Sequence, residues 1–446
     1  MMKKLALFVF LLSFTCTTFA QNDKELFTGL AETVNRQFRM HRFDSLEMRF
    51  DSMVRRGLSA QSLDQTLVGL ESVYGEMGEF RTPMVELIGN NWVARTPVKF
   101  SKSLMVLSVT FNSQQQIAGI FITPQLGTYI MPDYVNGLSF LESKLEFGKE
   151  GWRLNGTLSY PKDGGKHPLV IIVHGSGPMD REGSVGNTKI YRDLAWGLAS
   201  KGITVFRYDK RSHVHGPKLY MESYQGKTYT AKDEIVDDVL SAIQLLSGNS
   251  HVDSSRIFIV GHSQGGMMAP MIAQQSTKLK GIILLAGNAR PLQDMLIEEM
   301  EYLYPDSAVM DANNYRQKKL IQHQAQYAKK KKLDPKTPTD SLPFSVGAPY
   351  WNFLNQYDQV KTFVKLTTPA LVLQGERDYQ VTMTDFRLWQ QAAQKRTAVT
   401  DFRSYPKLNH LFIKGEGRSV PAEYQQQGNM DEAVIIDIQR WIEGLK

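Results

Sequence analysis

One stretch, residues 256–273, constrains the fold more than any other part of the chain. Arg256-Ile257-Phe258-Ile259-Val260 is short, β-branched and aromatic, and reads as a buried strand. Gly266-Met267-Met268-Ala269-Pro270-Met271-Ile272-Ala273 is apolar at helical spacing. Between them stands Gly261-His262-Ser263-Gln264-Gly265, a turn of the form G-x-S-x-G. Such a turn forces its serine into a strained backbone conformation and lifts the hydroxyl above a sheet. The flanking glycines are needed because a side chain there would collide with the neighbouring strand or helix. The helix that follows points its first backbone N–H groups at any oxyanion formed beside the serine. Ser263 is therefore the candidate nucleophile.

A serine nucleophile needs a base and an acid, and on this arrangement the chain order is Ser, acid, His. The chain has nine histidines, of which His323 and His410 follow Ser263. His323 lies in Gln322-His323-Gln324-Ala325-Gln326, which reads as an exposed helix face. His410 lies in a loop after a short strand, where the general base belongs. The strand Pro369-Ala370-Leu371-Val372-Leu373-Gln374 is followed by Gly375-Glu376-Arg377-Asp378. Asp378 is the favoured acid because it stands farther past the strand end, and Glu376 is its rival. A further strand, Pro168-Leu169-Val170-Ile171-Ile172-Val173, runs into His174-Gly175-Ser176-Gly177-Pro178. That turn is the usual second source of an oxyanion donor, so the donors are the backbone N–H groups of Gln264 and Ser176. His174 precedes the serine and is expected to orient the loop. The charged groups Asp180-Arg181-Glu182 and Arg207-Tyr208-Asp209-Lys210-Arg211 are expected to pair with one another and brace loops. His213 and His215 form an H-x-H pair with no accompanying carboxylate or cysteine cluster, so no metal site is assigned. This chemistry needs no cofactor.

The N-terminus has the pattern of an export signal. Lys3-Lys4 precede an apolar run from Leu5 to Leu12, and Thr18-Phe19-Ala20 offers a small-residue cleavage site. The run is too short for a spanning helix, so residues 1–20 are expected to be removed and the protein to be periplasmic or secreted, without a stable membrane anchor. Removal would take Cys16, the only cysteine, and with it any disulfide. Net charge is +7 and dispersed, apart from Lys329-Lys330-Lys331-Lys332. Basic residues are not interleaved with aromatics and zinc-finger spacing is absent, so nucleic acid is not an expected partner.

The pattern changes along the chain. Residues 27–86 are helical in period, and strand-like runs follow at 92–100, 104–111 and 116–123, making a small α+β domain over residues 21–128. From residue 129 to 446 strands alternate with helices, which argues for a mostly parallel sheet with helices on both faces. Residues 291–366, helical and Met-rich, interrupt that alternation and are expected to form a lid. Its Trp351 is expected to wall the pocket and limit acyl length.

These residues resemble a known group. His174-Gly175-Ser176-Gly177-Pro178 with Asp180-Arg181, Tyr208-Asp209-Lys210-Arg211, Gly261-His262-Ser263-Gln264-Gly265, Gly375-Glu376-Arg377-Asp378 and Asn409-His410 are similar to secreted bacterial α/β-hydrolases of the serine carboxylesterase type. Pro349-Tyr350-Trp351 and Pro421-Ala422-Glu423-Tyr424 also resemble that group, although Ser212 stands where its members usually have Gly. Relatives with a small N-terminal domain are known, and here that domain resembles a cystatin-like or nuclear-transport-factor-like module. The resemblance implies an α/β-hydrolase fold and hydrolysis of short-chain acyl esters, small molecules, through an acyl-enzyme on Ser263. A serine exopeptidase or amidase of the prolyl-oligopeptidase group, and a non-catalytic binding protein on the same scaffold, are the alternatives.

Overall fold

The computed structural model describes residues 23–125, 129–224, 228–305 and 312–445. The expected signal segment, residues 1–20 with Cys16, lies outside the described residues. The chain divides into two compact units between residues 127 and 128.

The first unit opens with helix α1, residues 23–39. Phe27, Ala31, Val34 and Phe38 recur along it at helical spacing and are buried together. Helices α2 (Phe43–Glu47), α3 (Ser52–Gly57) and α4 (Ala60–Tyr74) follow. The Asp51 carboxylate caps α3 by accepting from the N–H groups of Met53 and Val54, and Ser59 with Ser62 forms a capping box on α4. Strands β1 (Met77–Phe80), β2 (Met84–Ile88), β3 (Asn91–Phe100), β4 (Leu104–Phe111) and β5 (Ile117–Pro124) then form an antiparallel sheet. Alternate residues Ala94 and Val98 of β3, and Met105, Leu107 and Val109 of β4, enter the same core as α1. The helical reading of residues 27–86 therefore overruns by two strands. Both β1 and β2 pair with β3 and are largely solvent-facing, with Met84, Leu87 and Ile88 exposed. A strand whose apolar residues are not buried on one face carries no legible period of two.

The second unit is built on an eight-stranded sheet. Its strands are β6 (Phe140–Phe147), β7 (Leu154–Pro161), β8 (His167–Val173), β11 (Thr204–Tyr208), β12 (Val252–His262), β13 (Leu279–Leu285), β14 (Ala370–Gly375) and β15 (Thr400–Tyr405). The short strands β9 (Ser184–Val185) and β10 (Thr188–Lys189) form a separate hairpin, and helix α6 (Arg211–Tyr224) follows β11. The order across the sheet is β15-β14-β13-β12-β8-β11-β7-β6. The ladders from β15 to β11 are parallel, and β7 pairs antiparallel with both neighbours. Helices cover both faces, so the central strands are apolar without interruption and their side chains alternate between two cores. Leu169, Ile171 and Val173 join one core with α7 (Asp237–Leu246), α8 (Gln264–Gln275) and α13 (Met383–Ala393). Val170 and Ile172 join the other with α5 (Ile190–Ala199) and α14 (Glu432–Gly444). This is the α/β-hydrolase fold.

Between β13 and β14 lie α9 (Leu292–Leu303), α10 (Ala312–Ala328), α11 (Ala348–Gln356) and α12 (Gln359–Lys365). Only part of this segment behaves as a lid. Trp351 of α11 and Phe363 of α12 are wholly buried in the core over α8, with Phe363 edge-on to Trp389 at 4.9 Å. Among the described residues no helix is long and apolar enough to cross a membrane.

Candidate active site

Ser263, Asp378, His410 and Ser176 lie on loops or turns that follow β12, β14, β15 and β8, all at the carboxyl ends of parallel strands. That edge is where open α/β sheets bind ligands. Ser263 caps α8 with φ 54° and ψ −119°, a left-handed conformation for a residue that is not glycine. Two backbone bonds hold it there: Ser263 N–H donates to the Leu285 carbonyl at 2.8 Å, and Met267 N–H to the Ser263 carbonyl at 3.0 Å. The glycines are required by contact. A Cβ on Gly261 would strike the Gly265 carbonyl, and one on Gly265 would strike the Val173 carbonyl.

The structure brings Asp378, not Glu376, to His410. His410 Nδ1 lies 2.8 Å from Asp378 Oδ2. Both residues are buried. Asp378 Oδ1 accepts from the N–H groups of Gln380 and Val381 at 2.8 and 2.9 Å, and Oδ2 also accepts from Gln374 Nε2 at 3.0 Å. A carboxylate so surrounded by donors fixes the imidazole with its proton on Nδ1, leaving the Nε2 lone pair free. Glu376 is exposed and accepts from the Ser404 hydroxyl at 2.7 Å. His323 is exposed on α10, near Tyr327. His215 faces the Arg153 carbonyl at 2.9 Å, and His213 is exposed.

Three residues around this pair were not singled out for a role from sequence. His262 is buried, with Nδ1 3.2 Å from the Tyr191 hydroxyl and Nε2 3.0 Å from the His410 carbonyl. Burial, and then the neighbouring His410, lowers its pKa to about 3. It is a neutral strut beneath the His410 backbone. Glu423 accepts from Asn409 Nδ2 and Ser419 Oγ, each at 3.0 Å, and pairs with Arg377. It ties together the immediate neighbours of Asp378 and His410. Lys210, also buried, donates to the carbonyls of Gly175 at 2.8 Å and Gly177 at 3.1 Å. The only signal for these was membership of short motifs whose members meet in space and not in sequence.

The remaining charged groups pair as braces. Arg181 holds Asp209, Arg207 contacts Glu142 and Glu182, and Arg211 holds Asp238. His174 packs edge-on against Tyr191 and Tyr208, and burial with the adjacent Lys210 lowers its pKa to about 3. It is therefore neutral.

Ser263, Ser176 and His410 share the wall of a cavity of about 430 Å³. Its other wall is lid: Leu292, Met295 and Met300 of α9, Ile321 of α10, and Phe344. Trp351 is not in that wall. It is buried, and Phe344 stacks on it at 6.5 Å, so Phe344 takes the place the sequence reading gave to Trp351. One carboxyl stands in this wall. Burial raises the pKa of Glu299, and Gln380 Nε2, donating to it at 3.0 Å, works against that.

An eight-stranded, mostly parallel sheet with a serine elbow, and a buried Asp–His pair opening on the same cavity, defines an α/β-hydrolase with the parts of a serine hydrolase. Residues 166–416 match the serine aminopeptidase S33 family, and the chain belongs to that family. Over 401 residues it is 32% identical to esterase EstD of Thermotoga maritima, an alignment that covers 90% of this chain and 91% of the esterase. Over 147 residues it is 29% identical to cutinase 2 of Thermobifida cellulosilytica, covering 32% of this chain and 48% of the cutinase. Among solved structures, Est1E from Butyrivibrio proteoclasticus superposes with a TM-score of 0.42 at 16% identity, covering 68% of this chain and 98% of that one.

Proposed function

We propose that this protein is a serine carboxylesterase that hydrolyses short-chain acyl esters. The observation that carries the reading is the convergence of Ser263 and His410 on one cavity, with Asp378 2.8 Å behind the imidazole. Ser263 Oγ attacks the acyl carbon as His410 Nε2 takes its proton. The carbonyl π pair moves onto oxygen, and that oxyanion is bound by the N–H groups of Gln264 and Ser176. The intermediate collapses to the acyl-enzyme, the ester C–O bond breaks, and His410 returns its proton to the leaving alkoxide. Water then attacks in the same way and releases the acid and free Ser263. The relative of nearly the same length being an esterase supports an ester over a peptide substrate. The test is a fluorophosphonate probe together with p-nitrophenyl esters and aminoacyl anilides. Covalent labelling at Ser263 with ester turnover is expected. A preference for the anilides would give the exopeptidase reading, and no labelling would give the non-catalytic one. Export by way of residues 1–20 belongs to the same proposal, and recovery of unprocessed protein from the cytoplasm alone would contradict it.

The lid sets acyl length in this reading. Each methylene that fits an apolar wall contributes about 0.8 kcal/mol, so kcat/KM should climb about fourfold per carbon and stop at the depth Phe344 allows. The expected optimum is roughly two to six acyl carbons, an expectation resting on the family resemblance. Phe344→Ala should move the optimum to longer chains with little change on the acetate ester. An unchanged chain-length profile across a p-nitrophenyl ester series would refute this role for Phe344.

A further inference from the structure

The turn that carries Ser176 is gripped from behind by an unbroken line of buried polar groups. Lys210 Nζ donates to the carbonyls of Gly175 and Gly177 and forms an ion pair with Glu234 Oε2 at 3.5 Å. Glu234 lies in the π-helical turn Lys232–Val236 that leads into α7. The same Glu234 oxygen accepts from the hydroxyl of Tyr350 on α11 at 3.2 Å. Tyr350 Oη in turn accepts from Gln264 Nε2 at 2.9 Å. Lys210 and Gln264 are 1% exposed, Glu234 4% and Tyr350 5%. The line therefore begins at one oxyanion-hole residue, Gln264, and ends on the peptide of the other, Ser176.

Peptide geometry makes this more than a brace. The Gly175 carbonyl and the Ser176 N–H belong to one trans peptide, so they point in opposite directions. Lys210 draws the carbonyl to one side and so turns the N–H to the other, on a residue that itself lines the cavity. A cation on the carbonyl also polarises the amide and strengthens its N–H as a donor. An ion pair placed this deep is poor value as a stabiliser, since apolar residues of similar volume often serve as well or better. Its placement against the oxyanion loop gives it another use.

We propose that Lys210, Glu234 and Tyr350 are positioning residues of the oxyanion hole, with Tyr350 making the hole depend on how α11 is seated. This rests on the reading that the N–H groups of Ser176 and Gln264 bind the oxyanion. None of the three lines the cavity. Their contribution is made in the transition state, so it falls on kcat and leaves KM nearly alone.

The test uses Tyr350→Phe and Glu234→Gln, each close to isosteric, with Lys210→Met as the severe variant. Each is measured for kcat and KM on p-nitrophenyl butyrate, for inhibition by an alkylboronic acid that forms a tetrahedral adduct on serine, and for Tm. Losing one oxyanion donor outright costs roughly 10²–10³-fold in kcat, and misaiming one should cost at least about tenfold for Lys210→Met and about fivefold for Tyr350→Phe. KM should stay within about threefold, and the boronate Ki should rise in step with the fall in kcat/KM. Glu234→Gln, which still accepts from Tyr350, should lie between wild type and Lys210→Met. If Tyr350→Phe and Glu234→Gln fold with wild-type Tm and keep both kcat and boronate Ki within twofold, the positioning role is wrong while the esterase reading stands. A wild type that turns over no ester and takes no fluorophosphonate label overturns both.

Discussion

Ser263→Ala is expected to abolish ester hydrolysis while leaving the fold intact. Loss of a triad nucleophile costs roughly 10⁴- to 10⁶-fold in kcat, and what remains comes from the oxyanion donors and from binding. The fold should survive because nothing that supports the elbow is the hydroxyl. The left-handed conformation at φ 54° is held by backbone bonds to Leu285 and Met267, which alanine keeps. Alanine also has the same Cβ, so the strain stored there is unchanged. The measurement is kcat/KM on a short p-nitrophenyl ester beside Tm. A Tm within a degree or two of wild type is expected, and activity within tenfold of wild type would remove Ser263 from the reaction.

How much of this site could be read from the chain follows from how local each part is. The elbow is legible because its motif is contiguous, with Gly261 clearing the nearby Gly265 carbonyl, although the Val173 carbonyl that Gly265 clears is distant in sequence. Asp378 and His410 are legible because chain order and strand ends restrict where they can lie. The struts are not. His262 reaches the backbone of His410, and Glu423 reaches Arg377 and Asn409, across spans that no periodicity encodes. Lys210 reads as one more charge at a strand end, and its meaning lies in the Gly175 and Gly177 carbonyls it holds. Trp351 was misplaced for a related reason. Aromatic content marks the segment as apolar, but whether a ring walls a cavity or fills the core depends on which helix packs inward. In the first unit, β1 and β2 were hidden because sheet edges need not bury a face.

Asp378→Asn tests the acid more severely than truncation would, because it changes hydrogen-bond polarity and almost nothing else. Asp378 accepts on both oxygens: two backbone N–H groups on Oδ1, and Gln374 Nε2 with His410 Nδ1 on Oδ2. Asparagine offers one oxygen and one NH₂. If the oxygen stays with the backbone donors, the NH₂ meets His410 Nδ1 and Gln374 Nε2, donor against donor. If it turns over, the NH₂ meets Gln380 N–H and Val381 N–H instead. In the first arrangement the imidazole relieves the conflict by moving its proton to Nε2. It then has no lone pair facing Ser263 and cannot take the serine's proton. The expected loss is about 10⁴-fold in kcat, with a stability cost of about 1–3 kcal/mol for the buried mismatch. Glu376→Gln is the paired control. That carboxylate is exposed and, among the described residues, accepts from the Ser404 hydroxyl, so its loss should change kcat by less than about twofold. The pair of rates on one ester, read beside Tm, decides between them. A large loss for Glu376→Gln with a near-normal Asp378→Asn would mean that the 2.8 Å contact between Asp378 and His410 is not the one that orients the base.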